Sequence, residues 1–336
     1  MVTPRGTASV ALLVAAVTAF GAGVVPSVGE AARTTAALRA EAATGDTGAE
    51  LRLRPASGPV RGLETGTLTV PDLGGGAHRA RVGVVAPRGE PIADLLFLHG
   101  HADRLDNHAA LFADLAAAGV RVVSFDLPSH GETDAGAIDR WSTADLAALA
   151  ARVVHATEQD PDRPFVLAGW SFGGLLATRF VQDPVQRAAF GRPIAALALE
   201  SPAVAPLPLA GGDGVSRLRA LTHDLRAPVA GPPQPASPFL DPVFAVRLVV
   251  QARVAVATPL PDGLPVLVEV GGDTEDRYID VPAVRSWAGD VAPRDGADVR
   301  LERFPDARHG IDLEAWPVGD AARTALVDFV RQQVSR

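Results

Sequence analysis

Phe165-Val-Leu-Ala-Gly-Trp-Ser-Phe-Gly-Gly174 is an apolar run that ends in Gly169-Trp-Ser-Phe-Gly173 and passes into a helix-forming stretch. A serine held between glycines where a strand turns into a helix belongs to a chain reversal too tight for a Cβ at the flanking positions. Such a turn lifts the hydroxyl of Ser171 clear of the backbone. The helix that follows leaves unpaired N–H groups beside it, where negative charge on a substrate oxygen would be stabilised. The reading is therefore a nucleophile at Ser171, with the backbone N–H of Phe172 as one oxyanion donor. The alternative is a glycine-rich turn in which Ser171 only caps the helix.

Working outward, Leu95-Leu-Phe-Leu-His-Gly-His101 is a second apolar run, ending in His-Gly. The loop after such a strand supplies a second main-chain oxyanion donor, here the N–H of His101. His99 reads as a structural hydrogen-bonding residue. Asp126 and His130, in Ser124-Phe-Asp-Leu-Pro-Ser-His-Gly131, read as turn architecture. A serine hydroxyl needs a base, and the base needs an acid to orient it. With a nucleophile on this kind of turn the partners follow in the order serine, acid, histidine. Only His223 and His309 lie after Ser171. His309, in Phe304-Pro-Asp-Ala-Arg-His-Gly310 just past the last expected strand, is the expected base. The acid belongs in Gly271-Gly-Asp-Thr-Glu-Asp-Arg-Tyr-Ile-Asp280, which offers Asp273, Glu275, Asp276 and Asp280. Residue types alone leave that choice open. An acidic cluster of this kind could also take a hard cation, but no spacing of a known loop site is present.

Around these motifs, short apolar runs at residues 94–98, 120–125, 165–168, 194–199, 265–270 and 299–304 suit buried parallel strands. An opening pair of strands is expected at 68–70 and 80–86. Helical patterns fall at 107–118, 143–157, 172–181 and 321–334. The alternation predicts an α/β fold, a mostly parallel sheet flanked by helices. Residues from about 202 to 262 break the rhythm with Pro and Gly, apart from an apolar stretch at 243–257. That insert reads as a cap over the carboxyl edge of the sheet, where folds of this class place their sites.

Composition narrows the function further. All 31 basic residues are Arg, scattered along a chain of net charge −8, which disfavours nucleic acid as a partner. With no Cys, the chain has no disulfides, thiolate metal sites or thiol nucleophile. Arg5, an apolar run over residues 8–28 and the small residues after it read as an export signal over residues 1–32. An uncleaved membrane anchor is the alternative. Residues 33–61 read as a linker, leaving 62–336 as one domain. The expected location is secreted or extracytoplasmic.

Together these segments resemble the monoacylglycerol lipase and lysophospholipase group of α/β hydrolases, over roughly residues 80–334. Asn107-His-Ala-Ala-Leu-Phe-Ala-Asp-Leu-Ala-Ala-Ala-Gly119 is similar to that group's helix after the His-Gly strand. Asp126-Leu-Pro-Ser-His-Gly-Glu-Thr133 is similar to its Asp-x-x-Gly-His-Gly-x-Ser turn, with Ser129 in place of Gly. His309 with Glu314 five residues on is similar to its His…Glu segment. The group's acid precedes a short apolar run and often an Asp, which favours Asp276, at the head of Asp276-Arg-Tyr-Ile-Asp280, over Asp273. Two features depart from the group: a longer loop before Asp276 and a Pro-rich cap.

The resemblance implies hydrolysis of carboxylic esters through an acyl-enzyme by Ser171, His309 and Asp276, without cofactor or metal. The apolar cap stretch points to a lipid-like or other hydrophobic small-molecule ester and to transient membrane contact. Two other readings use the same fold. One is an aminopeptidase-like amide hydrolase, with cap carboxylates such as Asp224 or Asp241 meeting a substrate amine. The other is a non-catalytic binding protein. Hydrolases with an Asp nucleophile are disfavoured by the serine at the turn.

Overall fold

The computed structural model describes residues 51–74, 76–207 and 242–335, and the export signal and most of the linker lie outside these. Among the described residues nine strands form one sheet: β1 (Arg54–Pro55), β2 (Leu63–Leu73), β3 (Gly76–Val85), β4 (Ala93–Leu98), β5 (Val120–Phe125), β6 (Phe165–Trp170), β7 (Ile194–Glu200), β8 (Pro265–Val270) and β9 (Asp298–Arg303). Their order across the sheet is β1-β2-β3-β5-β4-β6-β7-β8-β9. The first three strands and the β3–β5 pair are antiparallel; from β5 to β9 every pair is parallel. The expected α/β architecture is therefore present.

Successive side chains of a strand face opposite ways, and the core divides accordingly. Leu95 and Phe97 of β4 face a layer with Phe112, Leu115, Leu326 and Phe329. These belong to α1 (Ala109–Ala117) and α7 (Val318–Val334). Leu96 and Leu98 face the other layer, with Leu149, Leu175, Phe180 and Trp287. They come from α2 (Thr143–Thr157), α3 (Phe172–Gln182) and α6 (Val281–Asp295), while the short α4 (Pro184–Ala188) follows α3. Covered on both faces, β4, β5 and β6 are buried along their whole length. That is why they read as continuous apolar runs instead of alternating ones.

Several elements differ from the sequence reading, the first strand and the sixth helix among them. The sheet starts inside the stretch read as linker, where Arg54 and Pro55 pair with Thr65 and Glu64 and Val60 is buried. A two-residue strand is too short to leave a periodic signal. Helix α6 was not expected, because its exposed face and its Pro and Gly residues dilute the apolar pattern. Of the insert between β7 and β8, the described part includes α5 (Pro242–Ala257), which lies against α3. Residues 208–241 lie outside the described set, and with them His223, Asp224 and Asp241. Among the described residues no helix is long and apolar enough to cross a membrane.

Candidate active site

The turn from β6 into α3 holds Ser171 at φ 53° and ψ −116°. A Cβ on Gly173 would stand 2.0 Å from the carbonyl oxygen of Leu98, and one on Gly169 would stand 2.5 Å from the backbone of Gly173. The two glycines are thus required by close backbone approach, and the serine between them bears the strained φ. Its backbone is pinned on both sides: Ser171 N donates to Glu200 O at 2.9 Å, and Ser171 O accepts from Ala203 N at 2.9 Å.

Two loops at the carboxyl edge carry side chains toward this serine. The loop after β9 brings His309 Nε2 to 2.7 Å from Ser171 Oγ. The loop after β8 brings Asp276 Oδ2 to 2.9 Å from His309 Nδ1. The second oxygen of Asp276, Oδ1, accepts from Tyr278 N at 2.9 Å and Ile279 N at 3.2 Å, which fixes the carboxylate plane. A carboxylate only accepts, so Nδ1 carries the imidazole proton and Nε2 is left to accept the hydroxyl of Ser171. The imidazole of His309 lies between Trp170 and Tyr278, with ring centroids 5.3 and 5.1 Å away. Trp170 Nε1 also donates to His309 O at 2.8 Å. Ser171, Asp276 and His309 are all buried.

The other loop carboxylates stand apart. Asp273 is at the surface, 2.9 Å from Arg285. Asp280 accepts from Ala283 N at the start of α6, and Glu275 bonds to Thr274. Among the described residues no group of three or more His, Cys, Asp or Glu side chains could hold a metal ion.

The loop after β4 passes directly over the serine, since a Cβ on Gly100 would stand 3.2 Å from Ser171 Cβ and 2.6 Å from Trp170. The backbone just before His101 thus runs against Ser171, and Phe172 is the first residue of α3. First-turn N–H groups have no acceptor within their helix. The His101 ring is buried against Phe244 and His130, with centroids 4.6 and 5.2 Å away. Burial, reinforced by His130 and His99, keeps its pKa well below the usual histidine range.

Two neutral histidines hold this loop to the one after β5. His99 Nε2 accepts from Leu127 N at 2.9 Å while its Nδ1 donates to Gly100 O at 2.7 Å. His130 Nε2 accepts from Ala102 N at 3.0 Å while its Nδ1 donates to Pro128 O at 2.8 Å. Burial pushes both down to about 4. Asp126 accepts from Leu105 N and Glu132 N and meets Arg81 at 3.2 Å, so it holds the turn instead of facing the site. Ser129, where the similar group has Gly, takes a φ of 61° and its Oγ accepts from Ile138 N.

Beside Phe172 a cavity of about 40 Å³ runs between α3 and α5, lined by Trp141, Leu176, Phe244 and Leu248 among others. Phe172 and Phe244 meet edge to face at 5.2 Å at one end, and Arg179 Nε donates to Gln251 at 3.2 Å at the other. Sequence reasoning did not single out Trp170, Tyr278 or Glu200. Only Glu200 left a signal there, as a lone carboxyl at the end of an apolar strand.

Comparison with known proteins bears on the fold and the family. The chain is similar to a lipase in its open form at 18% identity, covering 81% of this chain and 100% of that one, with a TM-score of 0.57. It is similar to a soluble variant of monoglyceride lipase from Saccharomyces cerevisiae in complex with a substrate analogue: 14% identity, 84% and 95% coverage, TM-score 0.58. A monoacylglycerol lipase from Paleococcus ferrophilus gives 19% identity, 74% and 96% coverage and a TM-score of 0.54. At these identities the likeness is one of fold. No curated protein matches the chain. The sequence profile described as the alpha/beta hydrolase family, in contrast, matches residues 95–328, well over half of the chain. The chain belongs to the alpha/beta hydrolase family.

Proposed function

We propose that the protein is a serine hydrolase that cleaves hydrophobic carboxylic esters, with Ser171 as nucleophile, His309 as base and Asp276 as the orienting acid. The observation that carries this reading is the continuous line from Asp276 Oδ2 through the His309 imidazole to Ser171 Oγ, at 2.9 and 2.7 Å. Ser171 Oγ attacks the ester carbonyl carbon as its proton passes to His309 Nε2. The carbonyl oxygen becomes an oxyanion facing the N–H groups of Phe172 and His101. As the tetrahedral intermediate collapses, the C–O bond to the alcohol breaks and His309 returns the proton to the leaving oxygen. Water, deprotonated by His309, then releases the acid from Ser171.

The aromatic pair of Phe172, next to Ser171, and Phe244 on α5 supports a hydrophobic acyl group, and lipases among the proteins of similar fold point the same way. The signal-like segment at residues 1–32 supports an extracytoplasmic site of action, with transient contact at lipid surfaces. Hydrolysis of p-nitrophenyl esters of graded acyl length by the wild type and by Ser171→Ala tests the assignment. A folded Ser171→Ala protein should lose essentially all turnover, because the three residues act as a unit. Residual turnover above about a hundredth of wild type would remove Ser171 from the role.

A further inference from the structure

Glu200 ends β7, an otherwise apolar strand, and is buried. A buried carboxyl group is costly unless donors satisfy it, so where its bonds go is informative. Its backbone oxygen accepts from Ser171 N at 2.9 Å. Its side-chain Oε1 accepts from Ile311 N at 2.6 Å and Asp312 N at 3.0 Å. Those two N–H groups lie two and three residues past His309. One residue therefore grips the turn that carries the serine with its main chain, and the loop that carries the histidine with its side chain.

The charged groups around it hold the same loop. Asp312 Oδ2 lies 2.8 Å from His108 Nδ1, and His108 Nε2 lies 2.8 Å from Asp103 Oδ2. Between two carboxylates, His108 is held well above the usual histidine range despite its burial, so it is an imidazolium. Glu269 is the cross-strand partner of Glu200 on β8. Burial, with Asp312 and Glu269 nearby, pushes the Glu200 carboxyl well above its ordinary range. What Glu200 supplies to the loop is an acceptor oxygen at a fixed place.

We propose that Glu200 is a positioning residue for the reaction assigned above: its side chain sets the distance between His309 and Ser171 at which the proton can pass. It touches neither the substrate nor the reacting atoms. The inference rests on the serine-hydrolase reading, and the test keeps the two apart. Glutamine keeps the acceptor oxygen in place without ionising. Aspartate keeps the carboxyl but withdraws it by one methylene. Leucine keeps the bulk and removes the acceptor.

The experiment measures kcat and KM on one ester, and the rate of labelling of Ser171 by a fluorophosphonate, in the wild type and in Glu200→Gln, Glu200→Asp and Glu200→Leu. Glu200→Gln should stay within about threefold of wild-type kcat. Glu200→Asp should lose about tenfold or more, and Glu200→Leu on the order of a hundredfold, since a displacement of about 1 Å costs that much. KM should change less than about twofold, because the losses are made in the proton-transfer step and not in binding. Labelling rates should fall in parallel with kcat. If Glu200→Leu does not fold, Glu200→Asp against Glu200→Gln carries the test. Wild-type kcat in Glu200→Asp, a loss confined to KM, or a loss in Glu200→Gln as large as in Glu200→Asp would overturn the proposal. A wild type that does not label would instead overturn the serine-hydrolase reading itself.

Discussion

Four carboxylates crowd the loop from Gly271 to Asp280, and one of them, Asp276, meets the His309 imidazole. Asp276 meets His309 Nδ1 at 2.9 Å, whereas Asp273 pairs with Arg285 at the surface. Asp276→Asn should therefore cost on the order of 10⁴-fold in kcat, as an amide in place of the acid misorients the imidazole and cannot stabilise its cation. Asp273→Asn should change kcat less than about threefold, since an exposed ion pair contributes little. Kinetics of both variants on one ester check this, and a severe loss confined to Asp273→Asn would contradict it. Ser171 and His309 were legible in the sequence because each stood nearly alone: one serine in a Gly-x-Ser-x-Gly turn, and one histidine after the last strand. Asp276 was less so, because what distinguishes it is burial and the two N–H bonds from Tyr278 and Ile279, which come from folding of the loop. Glu200 went unnoticed for a related reason: its partners lie 111 and 112 residues away.

The secondary-structure elements divide in the same way. β8 and α2 fall at the residues the apolar patterns indicated, since buried strands and a capped amphipathic helix carry strong local signals. The Ser142–Asp145 capping box marks the start of α2. β1 and α6 were missed because what holds them is tertiary pairing with β2 and packing of one narrow apolar face. The loops after β4 and β5 depend on His99 and His130, which are neutral in the fold at about pKa 4. On unfolding each takes up a proton below about pH 6.5, so the unfolded chain binds more protons between pH 6.5 and 4. Stability should fall as pH drops through that window, by an amount on the order of 3 kcal/mol for each histidine. His130→Asn, which cannot titrate, should show a shallower fall in unfolding midpoint over this range; an unchanged slope would contradict the assignment. The α3–α5 pair gives a second prediction. Leu248 lines the cavity beside Phe244, and Leu248→Ala should shift the preferred acyl length upward while costing about 2 kcal/mol of stability. A chain-length profile identical to wild type would separate this cavity from the acyl site.

At the scale of the whole molecule, the parallel half of the sheet gathers the loops after β4, β6, β8 and β9 at one edge, and the four meet around one hydroxyl. Folds of this class place their chemistry there because strand ends and helix starts bring oriented N–H groups and short loops together. The family assignment rests on a match over residues 95–328, which spans all four of those loops. We propose export for the chain as a whole, and a mature protein that begins near Arg33 is the expected result of N-terminal sequencing of secreted material. Retention of Met1 would favour an anchored form. The central claim is that Ser171 is a nucleophile activated by His309, and one measurement meets it directly: peptide mapping of the protein after reaction with a fluorophosphonate. The account predicts a single adduct on Ser171, absent from Ser171→Ala and formed at least about a hundredfold more slowly in His309→Ala. An adduct elsewhere, or an unmodified Ser171 in the folded wild type, would contradict it.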